Sequence, residues 1–529
     1  MYLNISRAGF VGIIPHQIGN LSNLQFLDLR PNYLGGLYVE DFGWVSHLSL
    51  LKHLDLSGVD LSKTSDGPLI TNSLHSLETL RFSGCLLHHI SPLSFANFSS
   101  LVTLDISDNQ FADSSIVNQV LGLVNLVFLD LSTNNFQGAV PDAIQNSTSL
   151  QHLDLSRNHF SSSVPDWFNK FIDLEYLSLS YNELQGSIPG SLGNLTSIKS
   201  LDLSFNRLES KIPRAFKRLR HLRSVNLSGN KLSQEISQVL DMFSACASNV
   251  LESLDLSNNT LFGLLTNQIG NFKNLDSLDL SFNNISGHIP LSLGQLSSLR
   301  YLDVSTNNLN GTLSENHFAN LTKLVGFDAS GNSLVLKVVS PSMAKEVLEV
   351  DKFFEDALIV YKKKVVKYPI GYPYYLKVLD LSANYFSGEI PSQVTNLVGL
   401  QTLKLSHNFF SGRIPVNMGA MKSVEALDFS SNRLQGEIPK NMVNLEFLEI
   451  FNISYNNLSG EVPPAQGQFA TFDSDSYIGN EYLCGLPLRK LCAGNVSTPV
   501  YERGSGGKHE LSWLNVSLLL GVILLIFGV

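Results

Sequence analysis

One phrase recurs along the chain, Leu-x-x-Leu-x-Leu-x-x-Asn-x-Leu-x-Gly-x-Ile-Pro, and its spacing restricts the fold more than any other feature. The Asn-equivalent position falls at 8, 32, 59, 85, 109, 134, 158, 182, 206, 230, 259, 283, 307, 332, 384, 408, 432 and 456, which makes eighteen turns. Most steps are 24 residues; the others run to 29, apart from one jump of 52 between Asn332 and Asn384. With 529 residues the chain is too long for one compact core, and a fixed period in that range marks a stack in which each unit touches only its neighbours.

Residues Leu174 to Pro189 satisfy nearly every fixed position and show why such a unit stacks. Alternation at Leu177, Ser178 and Leu179 sends the leucines inward and the intervening residue outward, so each turn supplies one short strand of a parallel sheet. The amide of Asn182 then lies inside the turn, where it must find unpaired backbone groups of adjacent turns. The Gly-x-Ile-Pro segment, Gly186 to Pro189 or Gly436 to Pro439, favours an extended return, because proline lacks an N–H and restrains its predecessor. A short amphipathic piece such as Gly190 to Leu195 closes the turn. The expected fold is an α/β repeat solenoid with a parallel β-sheet on its concave face and short helical or 3-10 turns on its convex face.

Composition narrows the function. Charged residues make up 16%, and the net charge of −10 is spread thinly, without the long basic block that a nucleic-acid partner requires. Acids recur at Asp28, Asp55, Asp105, Asp130, Asp154, Asp202, Asp255 and Asp279, but a carboxylate on almost every turn belongs to the repeat and is no catalytic pair. No catalytic residue, cofactor or metal site is expected, since the thirteen histidines are scattered. Cys484 and Cys492 are close enough to staple one local loop, which favours an oxidising compartment. Cys85, on a ladder position, and Cys246, in a lengthened turn, are expected to stay unpaired. Asn-x-Ser/Thr sequons at Asn4, Asn20, Asn97, Asn146, Asn194, Asn226, Asn258, Asn284, Asn310, Asn320, Asn452, Asn457 and Asn495 agree with the secretory pathway, although the repeat generates some as a by-product.

On these residues the chain resembles the plant-specific leucine-rich-repeat class over roughly residues 1 to 492, and within it the kinase-less receptor-like proteins of the pathogen- and elicitor-sensing type. Three segments carry the narrower resemblance. Residues 337–375, tyrosine- and lysine-rich from Tyr361 to Tyr375, lack the repeat and precede the last four repeats, 376–464. Gly479 to Cys492 is similar to the C-terminal cap of those proteins, 465–492 here, which implies a Cys484–Cys492 disulfide. A linker, 493–510, leads to an apolar run, 511–529, long enough for a marginal transmembrane helix, and no kinase domain follows. Gly504 to Gly507 and the tail also fit a GPI-attachment signal. Residues 1–336 hold the other repeats, the first partial and without an N-terminal cap, so a product truncated at both ends is expected.

What the resemblance implies is a plasma-membrane protein with extracellular repeats. It would bind a peptide, protein or oligosaccharide and signal through partner receptor-like kinases in defence or development. The alternatives are a secreted or GPI-anchored inhibitor of microbial wall-degrading enzymes and a non-functional truncated product. Two outward rows are candidate ligand contacts: Phe128, His152 and Tyr176, two places before the strand Asp, and Arg157, Tyr181 and Phe205, three places after it. The lysines Lys362, Lys363, Lys364 and Lys367 of the non-repeat segment are a second candidate, suited to an acidic glycan or peptide.

Overall fold

A computed structural model of the chain describes residues 1–32, 36–64, 74–88, 98–112, 123–318, 320–336, 359–361, 364–366 and 377–492. Eighteen three-residue strands, from Tyr2–Asn4 to Ile450–Asn452, pair in parallel and in register into one continuous sheet, one strand for each expected turn. The inward leucines are sequestered, Leu177 and Leu179 completely. The return segments form short parallel sheets of their own, such as Phe262–Leu264, Asn284–His288, Asn308–Leu313 and Ser333–Leu336. Most turns close through a 3-10 helix of three to five residues. The 29-residue step is an exception: the α-helix Ile236–Ala247 takes that place, burying Ile236, Val239, Leu240 and Phe243.

The asparagine ladder is built as the buried amide demands. Asn182 donates through Nδ2 to the carbonyl of Leu155 in the preceding turn (3.0 Å) and to those of Leu179 and Ser180 in its own (3.1 and 3.2 Å). Its Oδ1 accepts from the N–H of Phe160 (3.0 Å). One side chain thus ties carbonyls and an N–H of two adjacent turns together inside the stack, where water cannot serve them. Asn480 repeats the pattern, donating to Ile453 and Tyr477 and accepting from Leu458, so the ladder runs one rung further than the eighteen positions read from the phrase. At the position of Cys85 the thiol donates to the Leu56 carbonyl instead, and burial holds it far above the usual thiol range. Cys85 and the half-buried Cys246 are both free thiols.

The sheet passes straight across the 52-residue step. Gly326–Asp328 pairs with Val378–Asp380, and Asn384 donates to Ala329 (2.9 Å) while accepting from the N–H of Leu334 (3.0 Å). Within the intervening segment Ile359–Tyr361 and Lys364–Val366 form an antiparallel pair. Lys362, Lys363 and Lys367 lie outside the described residues, as do Asn97, Asn495, the linker 493–510 and the apolar run 511–529. Among the described residues no helix is long and apolar enough to cross a membrane. Cys484 and Cys492 are joined by a disulfide, and the strand Tyr482–Cys484 adds to the return sheet beside Asn457–Glu461.

Candidate functional site

Strand register decides which side chains meet on the concave face. Phe128, His152 and Tyr176 occupy matched positions on adjacent strands. Their rings stack with centroids 4.2 Å apart at both steps and planes within 6°. The three expected residues are therefore one half-buried pile of rings. The Tyr176 hydroxyl reaches Asp154 Oδ2 at 3.3 Å, and the Arg81 guanidinium lies 5.7 Å from the Phe128 centroid. Burial keeps the His152 imidazole below its ordinary pKa, so it stays neutral more readily than a free histidine.

The second row has a different origin. Arg157, Tyr181 and Phe205 follow the strand rather than belong to it, and each takes the left-handed conformation, with φ of 53°, 53° and 50°. Gly58, Gly84, Gly229 and Gly331 hold the same position on other turns, which shows the backbone need that the larger residues meet at some cost. The residues still come together: Arg157 sits 4.5 Å over the Tyr181 ring, and Tyr181 stacks on Phe205 at 4.4 Å and 14°. Phe205 in turn covers Gly229, where a Cβ would approach its ring to 2.8 Å. Tyr181 and Phe205 are each 43% exposed, a large fraction for aromatic side chains already stacked on one another.

The repeated aspartates have a local task. Asp154 Oδ1 accepts from the N–H of Ser156 (2.8 Å), and Asp279 accepts from both the N–H and the hydroxyl of Ser281 (2.9 and 2.6 Å). Each carboxylate thereby caps the turn that leads into the left-handed residue. Asp255, Asp279, Asp303, Asp328 and Asp380 follow one another in register, and Lys404, 3.0 Å from Asp380, is the cation at the end of the run. Burial first, then neighbouring carboxylates, pushes Asp279 up to about 6 and Asp303 up to about 7. Asp28 differs. Burial alone would raise it, but hydrogen bonds from Arg30, 2.7 Å away, hold it below the usual carboxylate range.

Beyond Tyr176 the row of rings gives way to Ser200, Ser224, Ser253 and Ser277, matched strand by strand, before Tyr301 closes the stretch. Five strand steps separate the two tyrosines, roughly 24 Å at 4.8 Å per step. A cavity of about 520 Å³ opens beside it, lined by Glu252, Ser253, Asn274, Asp276, Ser298, Arg300 and Lys323. Along that edge charges pair across turns, Lys199 with Glu175 and Arg223 with Glu252. Among the described residues no group of three His, Cys, Asp or Glu side chains is placed to hold a metal ion.

Two aromatic sets were not singled out from the sequence. Tyr2, Phe26 and His53 form a second pile on the same concave row, with centroids 4.2 and 4.1 Å apart. They sit two places before the strand Asp or its equivalent, so the rule that selected Phe128 would have found them. Tyr385 and Phe409 stack at 5.9 Å with Arg433 over Phe409, one place after the ladder asparagine. The sequons of the described residues are exposed apart from Asn226 and Asn452. Those two are half-buried strand residues whose Oδ1 accepts from Ser228 and Ser454.

Models of the leucine-rich repeat match residues 77–259, 249–309, 375–397, 399–421 and 447–469. The chain is similar to receptor-like protein EIX1 of Solanum lycopersicum, 37% identical over 146 residues, and to receptor-like protein 41 of Arabidopsis thaliana, 34% over 148. These alignments span 27% and 28% of this chain and 14% of each relative. Among solved structures, the ectodomain of the Arabidopsis receptor kinase HAESA in complex with an N-terminally extended IDA peptide hormone superposes with a TM-score of 0.61 at 26% identity, covering 93% of this chain and 92% of that one. The PEPR1–AtPEP1 complex gives 0.59 at 25%, covering 92% and 72%.

Proposed function

Since the chain belongs to the leucine-rich-repeat family, in its plant receptor-like form, we propose that it is the ligand-binding part of a cell-surface receptor that takes an extracellular peptide or protein on its concave face. The single observation that carries the reading is the pair of ring piles on consecutive turns, Phe128–His152–Tyr176 and Arg157–Tyr181–Phe205. Exposed aromatic and arginine side chains held rigid by their neighbours lose little entropy on binding and are concentrated at interaction hot spots. HAESA is solved with the peptide hormone IDA, both alone and together with the co-receptor SERK1, which favours a peptide ligand and a partner kinase here.

Ring geometry favours a peptide over an oligosaccharide. Sugars stack on open ring faces, but here both faces of His152 lie against Phe128 and Tyr176, which leaves the ring edges and the polar atoms of His152 and Tyr176 for a ligand. Those groups suit hydrogen bonds to an extended backbone crossing the serine row. Anchoring through the apolar run 511–529, with the repeats outside the cell, completes the reading.

The test is panning of a randomised peptide library on the full chain, followed by binding to the double variant Tyr176→Ala, Tyr181→Ala. Selected peptides are expected to lose at least tenfold in affinity, about 1.4 kcal/mol. Undiminished binding by a variant with an unchanged melting curve would refute the site.

A further inference from the structure

One turn carries a charge pattern unlike any other described turn. Residues 211–223 contain six Lys or Arg and no carboxylate, in a chain of net charge −10. Lys211, Arg214, Lys217, Arg218, Arg220 and Arg223 are all exposed, as is His221 among them. They follow the course of the turn. Lys211 lies past the return strand Arg207–Ser210, Arg214, Lys217 and Arg218 lie on the convex 3-10 helix Arg214–Arg218, and Arg220 and Arg223 lead into the concave strand Ser224–Asn226. In a 3-10 helix residues three apart eclipse, so Arg214 and Lys217 point the same way. The result is a belt of cations one repeat thick.

Most of the belt is uncompensated. Lys217 faces Asp241 of the α-helix at 3.7 Å and Arg223 meets Glu252 at 2.6 Å. Arg218 donates to the amide oxygen of Asn194 (2.9 Å) rather than to an acid, and Lys211, Arg214 and Arg220 have no carboxylate within ion-pair distance among the described residues. Beside the belt, residues 184–198 carry no charge at all. Gly193 lets the two turns close up there, since a Cβ would come within 2.5 Å of Ala215. The cations therefore border an uncharged strip that includes Gly190, Ser191, Asn194 and Thr196.

We propose that this belt binds a linear carboxylated polysaccharide, at a site separate from the concave ring piles. Isolated arginines fit carboxylates in a bidentate fork, and the neutral hydroxyl- and amide-bearing strip suits the sugar hydroxyls. Two other anionic partners fit worse. A bilayer is planar, whereas the belt turns from the return side over the convex face to the concave edge. A protein interface needs aromatic or aliphatic anchors, and among the described residues no large hydrophobic side chain is exposed between Phe205 and Phe262. The shape left is a narrow chain with charge at regular intervals, whose affinity falls steeply with salt as counterions are released.

The experiment titrates the full chain with polygalacturonate oligomers, beside dextran, poly-glutamate and phosphatidylserine-containing vesicles. Polygalacturonate is expected to bind, to weaken progressively with added salt, and to lose roughly tenfold or more in affinity in Arg214→Gln, Arg218→Gln, Arg220→Gln. Dextran should not bind, poly-glutamate and vesicles should bind more weakly, and Tyr176→Ala should leave polygalacturonate binding intact. No binding, equal binding of poly-glutamate or vesicles, or a triple variant that binds like the parent would overturn the proposal. All three positions are exposed, so a melting curve matching the parent confirms the triple variant's fold. If Tyr176→Ala, rather than the triple variant, abolishes binding, the polysaccharide belongs to the concave site and the belt is refuted.

Discussion

Two stretches of the concave sheet share a backbone and differ in the side chains that line its outward rows. From Phe128 to Phe205 the two ring rows stack, with an arginine at one end; from Ser253 to Asp380 the row matched to Phe128 starts with small hydroxyls, and the aspartate row, interrupted by Ser178 in the first stretch, is an unbroken file of carboxylates. The leucines and the asparagine ladder are the same in both, with Asn283 bonding Leu256, Leu280 and Ser281 as Asn182 bonds Leu155, Leu179 and Ser180. The scaffold therefore sets where side chains stand and leaves the surface chemistry free, which is how one repeat carries different recognition surfaces.

The widest separation of the two stretches should come from pH, because burial raises one aspartate of the ring stretch, Asp130, and four of the acidic one, Asp255, Asp279, Asp303 and Asp328. Asp279 and Asp303 have folded pKa values of about 6 and about 7, above the ordinary 3.8, chiefly through burial and secondarily through neighbouring acids. Groups raised on folding stabilise below the unfolded value and lose that contribution as pH rises through the folded one. Stability of the acidic stretch is thus expected to fall as pH rises between about pH 4 and pH 7. Asp279→Asn with Asp303→Asn should flatten the melting temperature against pH over that window, because asparagine still accepts from Ser281 and Ser305. Asp28→Asn should act with the opposite sign: its lowered pKa gives stability that is lost on acidification, so the variant should be less sensitive to acid.

Smaller, and equal in the two stretches, is the ladder effect. Asn182→Ala and Asn283→Ala each leave one buried N–H unpaired, that of Phe160 or Leu261, and strip one donor from three carbonyls; each should cost about 1–3 kcal/mol in urea unfolding. Unequal costs would show that the scaffold is not shared. Smallest is the stack itself. His152→Ala removes two ring contacts and should cost about 0.5–1.5 kcal/mol, whereas Ser277→Ala at the matched position of the other stretch should change stability little.

Much of this was legible in the residues. The 24-residue period places every concave strand, and Leu177, Leu179 and Asn182 announce their burial through alternation and chemistry. The two ring rows also follow from period alone, because equal offsets in register must be neighbours. Less legible was the left-handed backbone under Arg157, Tyr181 and Phe205: strand alternation suggested a flat outward row, and the glycines at 58, 84, 229 and 331 were the signal to the contrary. The closing of the sheet across the 52-residue step depends on pairing between Gly326–Asp328 and Val378–Asp380, a non-local fact. Asn480 escaped because Tyr477 stands where the repeat has a leucine, so the phrase fails while the ladder continues. The raised acids arise from burial and proximity, which only three dimensions supply.

The most direct test of a concave ligand face is hydroxyl-radical footprinting of the full chain with a peptide selected by panning. Protection confined to His152, Tyr176, Tyr181 and Phe205, with Phe282 and Tyr455 still reactive, is the expected result; both of those are exposed aromatics at the same repeat position as Tyr181. Unchanged labelling of the four, or protection only at Tyr361 to Tyr375, would contradict it.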